Sequence, residues 1–300
     1  MTETAMDQHD DTRQFAALRP RLFSVAYRML GIRADAEDVV QDAWLRWSDP
    51  ARGPVQSGEA WLVSVVTRLS IDRLRAAKVQ REHYIGEWLP EPLIDVDERT
   101  PEDAAELASE LSVALMWVLE RLAPEERAAF LLRQAFDQDY GELAAVLGKS
   151  EAACRQLVHR ASERVRRETP RFQVRKDVHR QLLERFLQAA SRGDQAALKG
   201  LLADDVAIVA DGGGKVASFM KIVRGAERIA NLYKAVHLRN APRLAYKMAL
   251  INGEPGLLRY VDGQLESAQA FVTDGERIVA IYAMRNPDKL GAIDAAPWSA

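Results

Sequence analysis

Asp139-Tyr140-Gly141-Glu142-Leu143-Ala144-Ala145-Val146-Leu147, then Gly148-Lys149-Ser150, then Glu151-Ala152-Ala153-Cys154-Arg155-Gln156-Leu157-Val158-His159-Arg160-Ala161, is the stretch on which the reading of this chain turns. Two short helical runs about a glycine-containing turn read as a helix-turn-helix. The first run puts Leu143, Ala144 and Leu147 on one face. Gly148 stands where a helix leaves in a left-handed conformation. Ser150 is placed to cap the second helix, with Glu151 in its first turn to suit the dipole. Cys154, Leu157, Val158, Ala161 and Val165 form one apolar stripe. The opposite face carries Glu151, Arg155, Gln156, His159 and Arg160, then Arg164, Arg166 and Arg167, and basic residues continue to Arg175. A packed back and a cationic, hydrogen-bonding front fit the major groove of DNA. A charged helix face is ordinarily just solvated; the turn, the cap and the basic extension together favour DNA.

Working outward, 300 residues suggest two or three domains. The formal net charge is only −3, which excludes a uniformly basic nucleic-acid coat. Charge is segregated instead. Acid dominates Asp35–Asp42 and Glu87–Glu110, while Arg and Lys cluster at Arg68–Arg81 and Lys149–Arg175. Such asymmetry suits a protein that touches both DNA and a protein partner. The single cysteine excludes an intramolecular disulfide, and on the apolar stripe Cys154 reads as a small buried residue. No apolar run approaches the ~18 residues of a membrane helix. The N-terminus is acidic and polar, unlike a signal peptide, so a soluble cytoplasmic protein is expected.

Residues 1–12 are polar and read as disordered. Phe15–Leu30 has helical spacing, closed by Gly31. A second helix carries Val39, Val40, Ala43, Trp44 and Trp47 inward and Asp35, Glu37, Asp38, Gln41 and Asp42 outward. Trp61–Val79 is a third, with Arg68, Asp72, Arg73, Arg75 and Lys78 outside. Gly86 to Pro101 breaks the helical pattern and reads as a linker. Its Trp88-Leu89 pair would be a liability if exposed, which favours docking on a neighbouring domain. Helices resume at Pro101–Leu122, Pro124 opens another, and Pro170 interrupts the last. Beyond Val174 come helices at Asp177–Ala190 and Asp194–Leu202 and strands at Val206–Ala210 and Val216–Val223. A helix follows at Ala226–Val236, then strand-like runs at Arg243–Ile251, Leu257–Val272 (broken at Asp262-Gly263) and Arg277–Arg285. Asp274-Gly275 is a strong hairpin signal. Helices followed by an antiparallel meander read as an α+β domain with a curved sheet.

Asp35-Ala36-Glu37-Asp38-Val39-Val40-Gln41-Asp42, with Ala60-Trp61-Leu62 through Asp72-Arg73-Leu74-Arg75, resembles domain two of bacterial extracytoplasmic-function sigma factors. Lys149–Ala161 resembles their domain four. The third part resembles the SnoaL-like, nuclear-transport-factor-2-like cone, a fusion typical of the SigJ-like subgroup. Trp88-Leu89-Pro90-Glu91-Pro92, Asp211-Gly212-Gly213-Gly214-Lys215 and Asn286-Pro287-Asp288-Lys289-Leu290 match that subgroup. The resemblance implies two all-α sigma domains followed by an α+β cone. The boundaries would be 1–85 for domain two, 86–103 for the linker, 104–175 for domain four and 176–300 for the regulatory domain. It further implies an alternative sigma factor, not an enzyme, with core RNA polymerase (β′ clamp helices and β flap) and promoter DNA as partners. It needs no catalytic residue, cofactor, metal or membrane.

On that resemblance Asp35, Glu37, Asp38, Gln41 and Asp42 would bind the clamp helices, and Arg68, Asp72, Arg73, Arg75 and Lys78 would meet the −10 element. Ser150, Glu151, Arg155, Gln156, His159, Arg160 and Arg164 would serve the −35 element, with Arg155 and Arg160 the best candidates for base edges or phosphates. Trp61 could stack on a base, but its spacing favours core packing. Trp88, Leu89, Pro90, Asp211, Gly213, Lys215, Asn286, Pro287, Asp288, Lys289 and Leu290 would make regulatory contacts, the extension acting in place of a separate anti-sigma protein. The cone could also hold an unknown small ligand, with Asp211, Tyr233, His237, Tyr260 and Asp262 as possible polar groups. The glycine run is a tight strand-to-strand turn rather than a phosphate loop, since Val216 follows Lys215. Two other readings stay open here. A ligand-responsive helix-turn-helix regulator leaves the acidic helix and the Trp61–Arg81 helix without a role. An isomerase or cyclase with helical appendages leaves both DNA-facing segments unexplained.

Overall fold

The structure is a computed structural model, and it describes residues 3–95, 112–168, 172 and 174–291. The expectations that the linker runs to residue 103, that helices resume at Pro101 and that Pro170 breaks a helix lie outside the described residues. The chain divides into two units, one of Met1–Glu82 with Val118–Glu168, the other of His83–Trp117 with Thr169–Ala300.

The first unit is helical: α1 (Glu3–Leu30), α2 (Arg33–Trp47) and α3 (Gly58–Glu82), then α4 (Val113–Leu119, which crosses the division), α5 (Pro124–Gln134), α6 (Tyr140–Leu147) and α7 (Glu151–Glu168). The helix beginning at Glu3 corrects the expectation of disorder before residue 13. That stretch lacks an apolar period of its own but is continuous with the Phe15–Leu30 stripe. Gly31, at φ 70°, ends α1, its N–H reaching Tyr27 O at 2.7 Å. Leu22, Val25, Ala26 and Met29 bury against Ala36, Val39, Val40, Ala43 and Trp47 of α2 and Leu62, Val63 and Val66 of α3. Trp61 stays half-buried, 5.6 Å from Trp47 between ring centroids.

The second unit holds β1 (Ile94–Asp95), α8 (Lys176–Arg192), α9 (Gln195–Leu201), β2 (Leu202–Asp211), β3 (Val223–Arg224) and α10 (Ala226–Asn240). It continues with β4 (Leu244–Ile251), β5 (Glu254–Val261), β6 (Gln264–Thr273), β7 (Ile278–Met284) and α11 (Pro287–Leu290). Sheet order is β1-β4-β5-β6-β7-β2-β3. The expected α+β cone is present, with Phe186 of α8 set against Tyr233 of α10 and Phe271 of β6 in its core. Two details differ from expectation. β2 pairs with β7 in parallel, so the sheet is not a pure antiparallel meander. The expected strand at Val216–Val223 shrinks to Val223–Arg224. Asn252-Gly253 and Asp262-Gly263 both take positive φ and turn the β4–β5 and β5–β6 hairpins.

Candidate nucleic-acid interface and linker contact

The helix-turn-helix forms as its residues dictate. Asp139 and Glu142 close a capping box on α6, and Gly148 leaves it at φ 63°, ψ 37°. Ser150 Oγ accepts from Ala153 N at 3.2 Å and so caps α7. Cys154, Leu157, Val158 and Ala161 are buried. On α6 the buried pair is Leu143 and Val146; Leu147 is half-buried, which shifts the expected inner face by one residue. Glu151, Arg155, Gln156, His159 and Arg160 are exposed and Arg164 half-buried. Arg155 donates to Glu151 at 2.7 Å and lies 4.8 Å from the Tyr140 ring centroid. Arg160 donates to Glu126 at 2.8 Å. Exposed pairs of this kind are worth ~0–1 kcal/mol, so a phosphate can replace the carboxylate.

The acidic face of α2 and the basic face of α3 are already matched to each other. Arg73 donates to Asp35 Oδ1 and Asp38 Oδ2, each at 3.2 Å. Glu37 takes Arg19 at 2.5 Å, while Asp38 and Gln41 are exposed and Asp42 half-buried. Arg68 donates to Ala145 O at 2.7 Å and Val146 O at 2.9 Å, on the carbonyl-rich end of α6. Arg75 donates to Asp72 at 3.4 Å and to Glu125 at 2.6 Å, and Lys149 meets Glu125 at 3.0 Å. Hydrogen bonding from Lys149, with Arg75 beside it, holds the Glu125 carboxyl below its ordinary range. Lys78 is exposed. Sequence reading missed the polar knot beneath. Arg127, 1% exposed, donates to Met29 O at 2.5 Å and Glu120 at 2.6 Å, and Arg81 also reaches Glu120.

In the second unit the described part of the linker, up to Asp95, lies along the cone. Asp211 is fully buried. Its Oδ1 accepts from Tyr84 Oη at 2.5 Å and Gly213 N at 3.0 Å; its Oδ2 accepts from Leu89 N at 2.9 Å and Lys289 Nζ at 2.8 Å. Lys289, 6% exposed, also donates to Leu89 O and sits 3.8 Å from the Trp88 ring centroid. A desolvated charge needs this full set of partners. Asn286 Nδ2 donates to Tyr84 Oη at 2.9 Å, and Asn286 Oδ1 caps α11 at Asp288 N. Gly213 has φ 60°, and a Cβ there would fall 2.4 Å from Asn286 Nδ2, so only glycine fits. Lys215 pairs with Asp288 at 2.6 Å on the surface. Leu89, Pro90 and Leu290 are buried, and Pro287 starts α11. Further along, Leu93 exchanges hydrogen bonds with Asn252, and β1 pairs with β4.

The five polar groups suggested for a pocket do not assemble. Asp211 is engaged by the linker, and Asp262 is exposed in a hairpin turn beside Arg243. Tyr233 donates to Gln269 at 2.7 Å, Tyr260 is buried, and His237 packs against Gly193. Tyr84 and Asn252 lie outside the expected contacts. Each looks like an ordinary polar residue at an element's end; only the buried Asp211 and the Asn-Gly turn mark them.

Comparison with known proteins fits this geometry. Sigma-70 region 2 matches residues 14–79, and Sigma-70, region 4 matches residues 112–165. The ECF RNA polymerase sigma factor SigJ of Mycobacterium tuberculosis is 40% identical over 291 residues, 93% of each chain. The probable ECF RNA polymerase sigma factor SigI of the same species is 30% identical over 293 residues, covering 97% of this chain and 98% of the relative. A crystal structure of M. tuberculosis SigJ superposes with a TM-score of 0.76 at 37% identity, covering 93% of this chain and 98% of that one. The chain belongs to the extracytoplasmic-function (ECF) RNA polymerase sigma factors. It is an alternative sigma factor with an α+β, SnoaL-like C-terminal extension. Among the described residues no helix is long and apolar enough to cross a membrane.

Proposed function

We propose that the chain binds core RNA polymerase in the cytoplasm through the acidic face of α2, with Asp35, Glu37, Asp38, Gln41 and Asp42 against the β′ clamp helices and the region-4 half against the β flap. Arg68, Asp72, Arg73, Arg75 and Lys78 then serve the −10 element. Ser150 and Glu151 shape the start of α7, and Arg155, Gln156, His159, Arg160 and Arg164 read the −35 element. Sigma factors are non-enzymatic initiation factors, and no chemistry is assigned to this one.

One observation carries the reading. The two charged surfaces a sigma factor needs lie inside the two matched regions and are held by exposed, exchangeable pairs such as Arg73–Asp38 and Arg75–Glu125. Complementary charge gives such surfaces orientation and on-rate with the partners that displace those pairs. A helix-turn-helix regulator acting outside the polymerase would have no use for the α2 surface.

The C-terminal domain modulates this activity through the linker contact built by Trp88, Leu89, Pro90, Asp211, Gly213, Lys215, Asn286, Pro287, Asp288, Lys289 and Leu290. The two promoter elements are far apart, so the two sigma halves must separate to reach both. A linker seated on the cone shortens the tether between them. The domain also holds a small ligand. Transcription from a cognate promoter by core polymerase tests the proposal, using wild type, Asp38→Arg with Asp42→Arg, and a chain trimmed after Arg285. Loss of polymerase binding in the double variant and altered transcription in the trimmed chain are expected. Wild-type behaviour in both refutes it.

A further inference from the structure

The second unit contains a charged cleft that neither the promoter surfaces nor the linker contact uses. It is about 530 Å³ in volume and lies among α10, the 217–219 loop and the β5–β6 end of the sheet. One half of its wall is apolar: Phe219, Leu232, Ala235, Val236 and Val261. The other half is ionic. Arg259, with 8% of its side chain exposed, donates to Glu266 at 2.7 Å. Arg285 donates to the other oxygen of the same carboxylate at 2.7 Å and to Ala217 O. Arg239 is a third cation on the wall, and Glu266 is its one carboxylate among the described residues. Three guanidiniums face one carboxylate, so the cleft is short of negative charge where water is partly excluded. Ser218 Oγ, on the same wall, is buried with no hydrogen-bond partner.

We propose that this cleft binds a small organic monocarboxylate, its apolar body against Phe219, Leu232 and Val236 and its carboxylate against Arg239, Arg285 and Ser218. The size matches a drug-sized ligand site, in which a few convergent polar groups fix orientation and apolar walls supply affinity. Glu266 holds the two inner guanidiniums in place and prevents a dianion from being favoured. Among the described residues none of those that line the cleft is a glycine, and half the wall is apolar, which disfavours an inorganic phosphate. The inference rests on the C-terminal domain as a ligand-holding module, and it adds the charge, the shape and the residues.

Naphthoate and naphthamide differ in charge but hardly in shape, and binding of each to the full chain by fluorescence anisotropy tests the proposal. Naphthoate binding is expected to exceed naphthamide binding and to weaken with salt. Arg239→Glu, on the exposed rim, is expected to weaken naphthoate by about tenfold, one decade of dissociation constant, and to leave naphthamide unchanged. Ala235→Trp fills the cleft and is expected to abolish both. Equal binding of the two probes overturns the carboxylate assignment while leaving a ligand site in place. Binding of neither probe overturns both. Naphthoate binding that survives Ala235→Trp in a folded protein places the site elsewhere and overturns the inference.

Discussion

Two of the sets of ion pairs in this protein are built for opposite purposes. In the second unit Asp211 and Lys289 are 0% and 8% exposed by side chain, and each hydrogen-bonds the linker backbone as well as the other. In the first unit Arg75 and Glu125 are 56% and 33% exposed, and Arg68 rests on helix-end carbonyls at the surface. A desolvated pair is costly to form and costlier to break one-sidedly. An exposed pair contributes little and gives way to a better partner. The linker contact is therefore a permanent part of the fold, while the exposed cations proposed to meet DNA are held on loan.

The largest effect follows from the buried pair. Asp211→Ala should destabilise the second unit by about 3–5 kcal/mol, because Lys289 is left charged and buried without its carboxylate. Replacing both residues with leucine should cost less than Asp211→Ala alone. Chemical denaturation of wild type and these two variants measures this, and a loss in the double variant as large as or larger than that of Asp211→Ala would refute the coupling.

Next comes pH. Burial alone pushes His179 of α8 down to about 4. An unfolded histidine binds its proton near 6.5, so the unfolded chain takes up the proton first as pH falls. The stability that neutral His179 contributes is complete above that value and is lost as pH drops from about 6.5 toward 4, a loss of about 3 kcal/mol at most. Burial, partly offset by Lys176, pushes Glu254 up to about 7, which acts in the opposite direction over much of the same window. The wild-type slope should thus be shallow, His179→Leu should gain stability on acidification, and Glu254→Gln should lose it. Melting temperatures from pH 7.5 to 4.5 test the pair; parallel profiles for all three proteins would refute the compensation.

A smaller effect is expected at the exposed set. Arg155→Ala should cost about 1–3 kcal/mol of discrimination if the side chain leaves Glu151 for a base edge. Competition binding against scrambled upstream DNA decides it, since an equal loss on both makes Arg155 a phosphate contact.

The same contrast explains what could be read from sequence. Caps and turns are local, so Gly148, Ser150, Asp262-Gly263 and Asp274-Gly275 stand where their chemistry suggests, and the unremarked Asp139 caps α6 in the same local way. Asn252-Gly253 carries the same signal and falls between the strand-like runs at Arg243–Ile251 and Leu257–Val272, where it turns the β4–β5 hairpin. The parallel pairing of β2 with β7 joins residues some seventy positions apart, and no periodicity encodes it. Val216–Val223 is rich in β-forming residues but forms only the two-residue β3, with Ser218 close to Gly212 and Asn286 close to Gly213. Arg127 and Glu120 read as surface residues because their burial depends on Met29 and Arg81, far away in sequence. Sequence also placed the cations proposed to meet DNA on helices that the structure forms, α3 and α7. It could not show which of them already hold partners.

The smallest expected effect is the one that probes the loan itself. Glu125 lies in the first turn of α5 and binds Arg75 of α3 and Lys149 of the helix-turn-helix at once. It is not among the residues proposed to touch DNA or polymerase, so Glu125→Gln removes the carboxylate of Lys149 and one of the two carboxylates of Arg75, whose other partner is Asp72, without removing a contact. The stability loss should be small, about 0.3–1 kcal/mol, from the helix-dipole contribution and two exposed pairs. DNA affinity should rise, because Lys149 no longer leaves a carboxylate and Arg75 leaves only the exposed one of Asp72. If both then meet phosphates, the slope of log affinity against log salt should steepen by about 0.9 per added contact, up to about 1.8. Binding of promoter DNA by the polymerase holoenzyme across a salt series measures it. An unchanged slope with unchanged affinity would mean that Glu125 does not compete with DNA for these side chains, and the exposed pairs of the first unit would then be no more exchangeable than the buried pair of the second.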